Sequence, residues 1–531
     1  MGFHRSRYFN ALFMGLCLAL TLLTVSMSAM AGPVKTDSGL VQGEVLDAES
    51  GMTVYRGIPF AAPPVGDLRW KAPQPVEPWD GVRACTEFSA ASPQQGILAQ
   101  MTGDTLPPLS EDCLYLNVWT AAKDADAKRP VMVWIHGGGL TMGWGHQKGY
   151  DGVAFAQRDV VLVSINYRLG PIGYLAHPAL SKESEHGVSG NYGFLDQLAA
   201  LKWVQTNIEG FGGDPDNVTI FGESAGGTSV SALCASPLSK GLFHRAISES
   251  AWISDTNFAQ LTERGPYLAD AESLGAEWAK QITDGVTAEA LRAISPEQIL
   301  AKSGADYLVT ATIDGWFLPE SPEDIFTSGK QMDVPMIAGT NKDEGTLFAP
   351  LFPLPTPDAF QAFIRESYGP GADAVLALYP IESKADLAET KNRFISDTWF
   401  NHSTREMLEG MDRVSSNAYQ YHFTRRAKMP PAWGAYHGFE IGFVFNNLDG
   451  VPLEDADNVL ADAMIQYWVQ FAKTGDPNVD GLPEWPTYVP ATQTYLELGD
   501  KIKTGAALRK ETMDVLDAVR EQAFSNAGDS D

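Results

Sequence analysis

The chain has 531 residues, of which 44% are hydrophobic and 20% are charged. A composition of this kind can bury a large core, so the protein is neither disordered nor collagen-like. Its 38 Lys and Arg residues are outnumbered by 66 Asp and Glu residues, which gives a formal net charge of −28. So acidic a chain is poorly suited to following a phosphate backbone, and we expect no nucleic-acid partner.

The N-terminus, residues 1–31, has the features of a secretory signal peptide. Basic residues lie within 4–7, an apolar stretch covers 11–25, and Ala29-Met30-Ala31 forms a small-x-small cleavage signal. We predict cleavage before Gly32 and export to the periplasm or out of the cell, with an uncleaved N-terminal anchor as the alternative. No later apolar run approaches the roughly 18–20 residues of a membrane span, so we expect no stable membrane insertion of the mature chain.

Three cysteines remain after the predicted cleavage. Cys85 and Cys113 flank a polar segment that contains proline, whereas Cys234 lies among small apolar residues. In an exported protein this arrangement predicts a Cys85–Cys113 disulfide and a buried, free Cys234, although spacing leaves other pairings open. Three scattered cysteines are too few for a structural zinc site, and we expect no metal.

Short β-rich runs alternate with helical patterns along the chain, while the pieces at 39–46 and 52–58 look antiparallel. Apolar stripes at 194–208 and 460–471 predict two core-facing helices. The alternation predicts an α/β fold with a large, mixed, mostly parallel central sheet and helices on both faces. The predicted buried strands are 131–135, 160–167, 218–221, 335–339 and 418–423.

One of these strands leads through Gly222, Glu223, Ser224, Ala225 and Gly226 into a helix rich in small residues. A serine on so sharp a turn has strained backbone angles, and glycine two residues before and after it avoids clashes. We therefore predict that Ser224 is a nucleophile. An ordinary glycine-rich turn is the alternative.

A second strand ends in the sequence His136-Gly137-Gly138-Gly139. Acyl transfer needs backbone N–H donors at the developing oxyanion, and glycine lets a carbonyl approach the chain closely. We assign these donors to Gly138, Gly139 and Ala225. A dinucleotide-binding loop is the rival interpretation, but no G-x-G-x-x-G motif opens a helix here and no Walker A lysine occurs, so we expect no cofactor.

If Ser224 is the nucleophile, the acid is expected after it in the chain and the base after the acid, in the order Ser, Asp or Glu, His. Four histidines follow Ser224: His244, His402, His422 and His437. His422 lies inside a predicted strand and His402 within a polar helical pattern, where structural roles are expected. His437 lies in a loop, where a base is usually presented, and is our candidate.

The acid is expected at the carboxyl end of a parallel strand. Strand 335–339 is followed by Thr-Asn-Lys-Asp-Glu-Gly, which offers Asp343 and Glu344. Position alone does not separate the two carboxylates. One of them would orient the imidazole and the other would be structural.

These motifs together resemble type-B carboxylesterases, the carboxylesterase and cholinesterase family of the α/β-hydrolase fold. The resemblance implies a single domain over 32–531, with inserted helices and loops covering an active-site gorge. The family pattern N-K-D-E-G places the triad acid on Glu344, and the resemblance supports His437 as base and Ser224 as nucleophile. The matching segments are 55–59, 111–118, 166–170, 211–214, 217–219, 222–226 and 437–440.

Departures from cholinesterases bear on the substrate. Residues 86–112 contain no tryptophan, so the choline-binding cation–π site is missing and acetylcholine is disfavoured. An aliphatic Leu347 stands at a pocket position that is aromatic in cholinesterases, and Glu249 replaces the glutamine of the family's Q-S-G. The side chains that we place in the substrate pocket, with an ordinary buried position as the alternative, are Glu223, Trp144, Trp252, Leu347 and Phe348.

The sequence therefore predicts an exported serine hydrolase that cleaves small-molecule carboxylic esters through an acyl-enzyme intermediate. One alternative keeps this chemistry but applies it to lipid or bulky natural-product esters. Another is a non-catalytic adhesion module, because the family includes adhesion proteins that have lost the nucleophile. The acyl and alcohol preference and the oligomeric state stay open at this point.

Overall fold

The computed structural model describes residues 29–265, 267–303, 311–426, 433–450 and 454–528. Most of the predicted signal peptide lies outside these ranges, but Ala29 and Met30 form an edge strand in the full chain. No helix of the described ranges combines the length and the apolar character needed to cross a membrane.

The strands of the described residues are β1 (Ala29–Met30), β2 (Val34–Lys35), β3 (Leu40–Gln42), β4 (Glu44–Asp47), β5 (Met52–Pro59), β6 (Val82–Ala84), β7 (Tyr115–Thr120), β8 (Arg129–Ile135), β9 (Val161–Ile165), β10 (Gly213–Glu223), β11 (Arg245–Glu249), β12 (Phe258–Gln260), β13 (Ala311–Ile313), β14 (Met336–Asn341), β15 (Ala418–Phe423), β16 (Thr494–Leu498) and β17 (Lys503–Ala506).

A mixed sheet of twelve of these strands has the order β1-β4-β5-β7-β9-β8-β10-β11-β14-β15-β16-β17. The strands from β9 to β16 in that order pair in parallel, and antiparallel strands form both edges. The predicted large, mostly parallel sheet with an antiparallel N-terminal edge is therefore confirmed. β9 is shorter at both ends than the predicted strand 160–167, and the Asn166 side chain that follows it accepts from the N–H of Gly145 at 2.8 Å.

The helices of the described residues are α1 (Ile97–Thr102), α2 (Val153–Ala156), α3 (Gly170–Tyr174), α4 (Pro178–Glu183), α5 (Tyr192–Asn207), α6 (Ala225–Ala235), α7 (Ala271–Ala279), α8 (Ala288–Arg292), α9 (Pro296–Ala301), α10 (Pro322–Thr327), α11 (Pro357–Tyr368), α12 (Ala372–Leu378), α13 (Leu387–Ile395), α14 (His402–Met411), α15 (Ile441–Val444), α16 (Asp455–Thr474) and α17 (Lys510–Gly528).

Two cores sandwich the sheet, one on each face. Along β8, Val131 and Val133 face the core that contains α5, whereas Met132 and Trp134 face the core that contains α16. This alternation follows from the two-residue period of a strand, and both faces are apolar because helices cover both. Both predicted apolar stripes lie in these cores, which confirms the two predicted helices and the layers on either face.

A third apolar cluster joins α11, α12, α13 and α17 away from the two sheet cores. Between α13 and α14 the chain forms a π-helical segment, Ser396–Asn401. Such segments insert an extra residue into a helix and re-aim its side chains. Here the segment carries Trp399 and Phe400, which contact the candidate site.

The predicted Cys85–Cys113 disulfide is wrong for this structure, because both residues are free and buried. The side chain that meets the Cys113 thiol is Ser92, with which it forms a hydrogen bond. Cys85 instead lies beside Tyr55, and burial raises the pKa of its thiol to about 11. Cys234 is buried and free, as predicted.

Candidate active site

The turn between β10 and α6 holds Ser224 at φ 59° and ψ −123°, a region that residues other than glycine rarely occupy. A Cβ atom added at Gly226 would lie 2.0 Å from the carbonyl oxygen of Ile135, and one at Gly222 would lie 2.5 Å from the same oxygen. The close approach of the two backbones therefore requires glycine on both sides of the serine. Ser224 itself is half-buried at the start of α6.

Residues 137–143, which follow β8, form a tight turn beside this serine, and we call them the glycine turn. A Cβ at Gly137 would lie 3.1 Å from the Cβ of Ser224, so the turn touches the nucleophile. Gly138 has φ 107° and Gly139 has φ 62°, and both are more open to solvent than the core. Their conformations explain why the sequence has consecutive glycines here.

The third predicted donor, Ala225, is the first residue of α6. The N–H groups of a first helical turn have no acceptor within the helix, and they carry the positive end of its dipole. The structure thus places the glycine turn against Ser224 through Gly137, while Ala225 directly follows the serine at the start of α6. The arrangement can stabilise negative charge on an oxygen bound next to the serine.

His437 and Glu344 form the second half of the candidate triad. The Nδ1 nitrogen of His437 donates to Oε2 of Glu344 at 2.6 Å. Glu344 is fully buried, and its Oε1 accepts from the Ser250 hydroxyl and the Asn341 N–H, each at 2.6 Å. Three donors therefore fix this carboxylate in one orientation, which suits it to orient an imidazole.

Asp343, which position alone did not distinguish from Glu344, has a structural role. Its Oδ2 accepts from the N–H of Ala435 at 2.8 Å, and its own N–H donates to the carbonyl of Ala435 at 3.0 Å. A Cβ at Gly434 would lie 2.1 Å from Asp343 Oδ2. Asp343 thus pins the loop that carries His437, while Glu344 contacts the imidazole.

The Nε2 nitrogen of His437 lies 3.2 Å from Oε1 of Glu223, the residue before Ser224. This Nε2 nitrogen makes no hydrogen bond to any described residue. In ligand-free enzymes the bond between nucleophile and base is often long or poorly aligned and tightens in the substrate complex. The imidazole of His437 therefore lies beside the turn between β10 and α6, which we call the elbow, with Nε2 on the side of the ring that faces it.

Buried carboxyl groups surround this triad. Burial raises the pKa of Glu249 to about 8. The hydrogen bond that Glu249 accepts from Trp468 Nε1 at 2.8 Å lowers this pKa, but by less than burial raises it. Burial, and then the charges of Glu344 and Glu249, raise the pKa of Glu223 well above its usual value. Burial, and then the charges of Glu223, Glu344 and Glu249, raise the pKa of Glu440. All three shifts favour the protonated form of the carboxyl group, which lowers the cost of burying these groups next to one another.

An aromatic wall adjoins the imidazole. Trp252 and Trp399 stack face to face, with ring centroids 4.3 Å apart and planes 4° apart. Phe348 lies 5.4 Å from Trp399 and 5.0 Å from the ring of His437, and Phe400 lies 4.8 Å from His437. Both tryptophans and Phe348 are only half-buried, so they present apolar surface next to the triad.

Of the pocket residues predicted from sequence, Trp252, Phe348 and Glu223 lie at the site, and Leu347 is half-buried beside Phe348. Trp144 does not belong to this wall. It is 1% exposed and packs in a small core cluster with Ala91 and Ala99. Sequence reasoning missed Trp399 and Phe400, because the π-helical segment that aims them has no signature in the apolar periodicity.

The other three histidines that follow Ser224 have structural roles. His422 is buried in β15, and burial lowers its pKa to about 4. His244 accepts from the N–H of Val218 at 3.2 Å. His402 Nε2 lies 2.9 Å from Asp517 Oδ1. None of these three contacts the elbow serine in the hydrogen bonds of the described residues.

One group of described side chains has donor atoms spaced as metal ligands would be: His402, Glu406 and Asp517. However, Arg520 Nη1 lies 3.2 and 3.3 Å from the two ring nitrogens of His402. Arg405 Nη2 lies 3.5 Å from Asp517. These guanidinium groups already supply the positive charge, so the group is an ion-pair network that docks α17 onto α14.

Comparison with known proteins identifies the family. The carboxylesterase family model matches residues 31–516. Fumonisin B1 esterase of Sphingopyxis macrogoltabida is 37% identical over 489 residues, covering 89% of this chain and 87% of the relative. Para-nitrobenzyl esterase of Bacillus subtilis (strain 168) is 37% identical over 480 residues, covering 88% of this chain and 95% of the relative.

Solved structures give the same result. A PNB esterase superimposes with a TM-score of 0.78 at 34% sequence identity, covering 91% of this chain and 99% of that chain. The family model and this structural neighbour both span nearly the whole chain. The match therefore includes the sheet, the turn that carries Ser224 and the loop that carries His437. The chain therefore belongs to the carboxylesterase family of α/β-hydrolases and is a carboxylic-ester hydrolase.

Proposed function

We propose that this carboxylesterase is an exported serine esterase that works through an acyl-enzyme, with Ser224 as nucleophile, His437 as general base and Glu344 as the orienting acid. The observation that carries the proposal is the 2.6 Å hydrogen bond between His437 Nδ1 and Glu344. It leaves Nε2 on the side of the ring that faces the elbow, where a general base is needed.

In the first half of the reaction, Ser224 Oγ bonds to the ester carbonyl carbon while His437 Nε2 takes the hydroxyl proton. The carbonyl oxygen becomes an oxyanion, which the N–H groups of Gly138, Gly139 and Ala225 stabilise. The C–O bond to the alcohol then breaks, and Nε2 gives its proton to the leaving alcohol. Water repeats the cycle on the acyl-enzyme and releases the acid.

The aromatic wall supports an apolar small-molecule ester as substrate. Stacked and half-exposed rings bind flat or branched apolar groups and offer no charged partner for a polar one. Lipid or bulky natural-product esters are the second candidate, and two relatives are named fumonisin B1 esterase and para-nitrobenzyl esterase. A panel of p-nitrophenyl esters of rising acyl size, ranked by kcat/KM, separates the two.

A non-catalytic adhesion module is the rival from another class. The chain keeps Ser224, Glu344 and His437, and the acid and the base are in hydrogen-bond contact. A binding module has no need of this arrangement. The rival is therefore disfavoured.

Intact-mass measurement after treatment with a small fluorophosphonate tests the proposal on the wild type and on Ser224→Ala. We expect one adduct on the wild type, none on the variant, and loss of esterase activity in the variant. A folded wild type that stays unlabelled, or a Ser224→Ala variant that keeps its activity, contradicts the proposal. The same spectrum of exported protein reports whether the mature chain begins at Gly32.

A further inference from the structure

The glycine turn is a strained piece of backbone. Leu140 has φ 58°, which is unfavourable for a side chain with a Cβ, and Gly143 has φ 115°. Within the turn, the backbone hydrogen bonds run from the N–H groups of Thr141 and Met142 to the carbonyl of Gly138, each at 3.1 Å. Strained conformations persist only where the surroundings hold them in place.

One side of the turn has little packing to hold it. Thr141 and Met142 are half-buried and line a solvent-open cleft that Ile172 and Ile299 also line. Side chains that face a cleft do not restrain a backbone as a packed core does. The turn must therefore be held by specific contacts.

The side chain of Gln94 supplies such a contact at Gly143. Its Oε1 accepts from the N–H of Gly143 at 2.7 Å, and its Nε2 donates to the carbonyl of the same residue at 2.8 Å. Nε2 also donates to the carbonyl of Ser92 at 3.1 Å, and Gln94 is 2% exposed. A buried amide that satisfies both polar groups of one glycine fixes that glycine in position and orientation.

Gly143 packs closely against His136 and Gly137, the residues next to the nucleophile. A Cβ at Gly143 would lie 2.4 Å from His136 Nδ1 and 2.6 Å from the carbonyl oxygen of Gly137. Gly137 in turn lies against Ser224, as described above. Because these backbones are in contact, a shift of Gly143 moves the start of the turn and the N–H groups that follow it.

A second contact holds the glycine turn at Leu140, and it is linked to Ser92, two residues before Gln94. The N–H of Gly170 donates to the carbonyl of Leu140 at 2.7 Å. The neighbouring N–H of Leu169 donates to the Ser92 hydroxyl at 3.1 Å. Residues 92–94 therefore connect to both points at which the glycine turn is held.

We propose that Gln94 is a positioning residue for ester hydrolysis, which holds the glycine turn so that the N–H groups of Gly138 and Gly139 point at the oxyanion. This inference rests on the proposed function, because it needs those groups to act as oxyanion donors. In the hydrogen bonds of the described residues, the Gln94 side chain bonds to Gly143 and Ser92 and to neither Ser224 nor His437.

The test compares Gln94→Met with the wild type. Methionine has a similar length and fills the site but makes neither bond to Gly143. We expect kcat to fall about 10- to 100-fold, because misplaced oxyanion donors act on the transition state, with KM changed less than about threefold. Affinity for a trifluoromethyl ketone, which forms an oxyanion on Ser224, should fall in parallel, while affinity for the matching methyl ketone should not.

Gln331→Met is the matched control. Gln331 is also a buried glutamine, and its Nε2 donates to the carbonyl of Gly410 at 2.8 Å, in another part of the core. This variant should lose thermal stability as Gln94→Met does but keep wild-type kcat. If Gln94→Met does not fold, Gln94→Asn keeps a polar amide but is too short to reach both groups of Gly143, and the same expectations apply to it.

A folded Gln94 variant with wild-type kcat and wild-type affinity for the trifluoromethyl ketone overturns the positioning role while leaving the serine mechanism intact. If instead Ser224→Ala keeps its activity, the proposed function fails, and the role of Gln94 fails with it. The two failures are distinguished by the Ser224 variant.

Discussion

His437 Nδ1 lies 2.6 Å from Oε2 of Glu344, and this contact joins the loop after β15 to the turn after β14. Because Glu344 is fully buried and accepts two further hydrogen bonds, its carboxylate is held toward the imidazole. We expect Glu344→Gln to lower kcat about 10³- to 10⁴-fold, since an amide N–H next to Nδ1 favours the wrong imidazole tautomer. Steady-state hydrolysis of a p-nitrophenyl ester measures this loss.

Asp343→Asn is the control for this variant. Asparagine keeps an oxygen that can accept from the N–H of Ala435, so the loop that carries His437 should stay in place. We expect a loss of kcat far smaller than that of Glu344→Gln. The opposite order of the two variants would show that Asp343 is the orienting acid.

The neighbouring residues Asp343 and Glu344 show which features of the fold and site the sequence predicts and which it does not. The mostly parallel sheet with its antiparallel N-terminal edge follows from apolar periods, and the structure confirms it, but the order of the strands within the sheet was not predicted. Asp343 and Glu344 differ by one position, and only the short 3-10 turn at Glu344–Thr346, with the bridge between Asp343 and Tyr436, decides which carboxylate meets the imidazole. Position at the end of the strand did not separate the two carboxylates, whereas the resemblance to the family pattern N-K-D-E-G already assigned the acid to Glu344.

The misses have the same physical origin. The alternation of buried and exposed residues does not reveal a π-helical segment, so Trp399 was not expected beside Trp252. The pairing of Cys113 depended on which side chain the fold places against it, and the structure places Ser92 there. Trp144, which follows the glycine turn in sequence, points into a small core cluster instead. In each case tertiary packing, not local sequence, sets the side-chain neighbour.

The second prediction concerns Glu249. Its pKa is about 8 in the folded protein against an ordinary 4.5, so between these values the folded state holds a proton that the unfolded chain releases. The free energy of unfolding therefore falls as pH rises across this window, and glutamine at this position has no proton to lose. Relative to the wild type, we expect Glu249→Gln to gain up to about 1.4 kcal/mol of stability per pH unit. Urea denaturation between about pH 5 and pH 8 measures the difference.

Glu320→Gln serves as the comparison, because Glu320 is an exposed partner of Lys330 at the surface. Its stability difference from the wild type should change little with pH. If Glu249→Gln shows the same flat profile, Glu249 is not protonated in the folded protein, and the buried carboxyls share their protons in another way.

The third prediction concerns the thiols. Cys85, Cys113 and Cys234 are separate buried thiols, so we expect three reactive thiols per mature chain once the protein is denatured without reductant. In the native state they should react slowly with a thiol reagent, because burial disfavours the reactive thiolate. A single thiol in the denatured, unreduced protein would mean that two of the three are bonded after all, and a reduced sample calibrates the count.

The last prediction concerns substrate choice. Trp399 stacks on Trp252 and contacts Phe348, which lies against His437, so Trp399→Ala removes the middle of the aromatic wall. We expect kcat/KM to shift by about tenfold or more toward esters with bulkier acyl groups, because the space of an indole becomes available and discrimination by one apolar pocket position is of this size. Trp144→Phe, in the core cluster, should lower stability and leave the preference unchanged. If both variants rank a series of p-nitrophenyl esters as the wild type does, the wall does not contact the acyl group, and the substrate approaches Ser224 from another side.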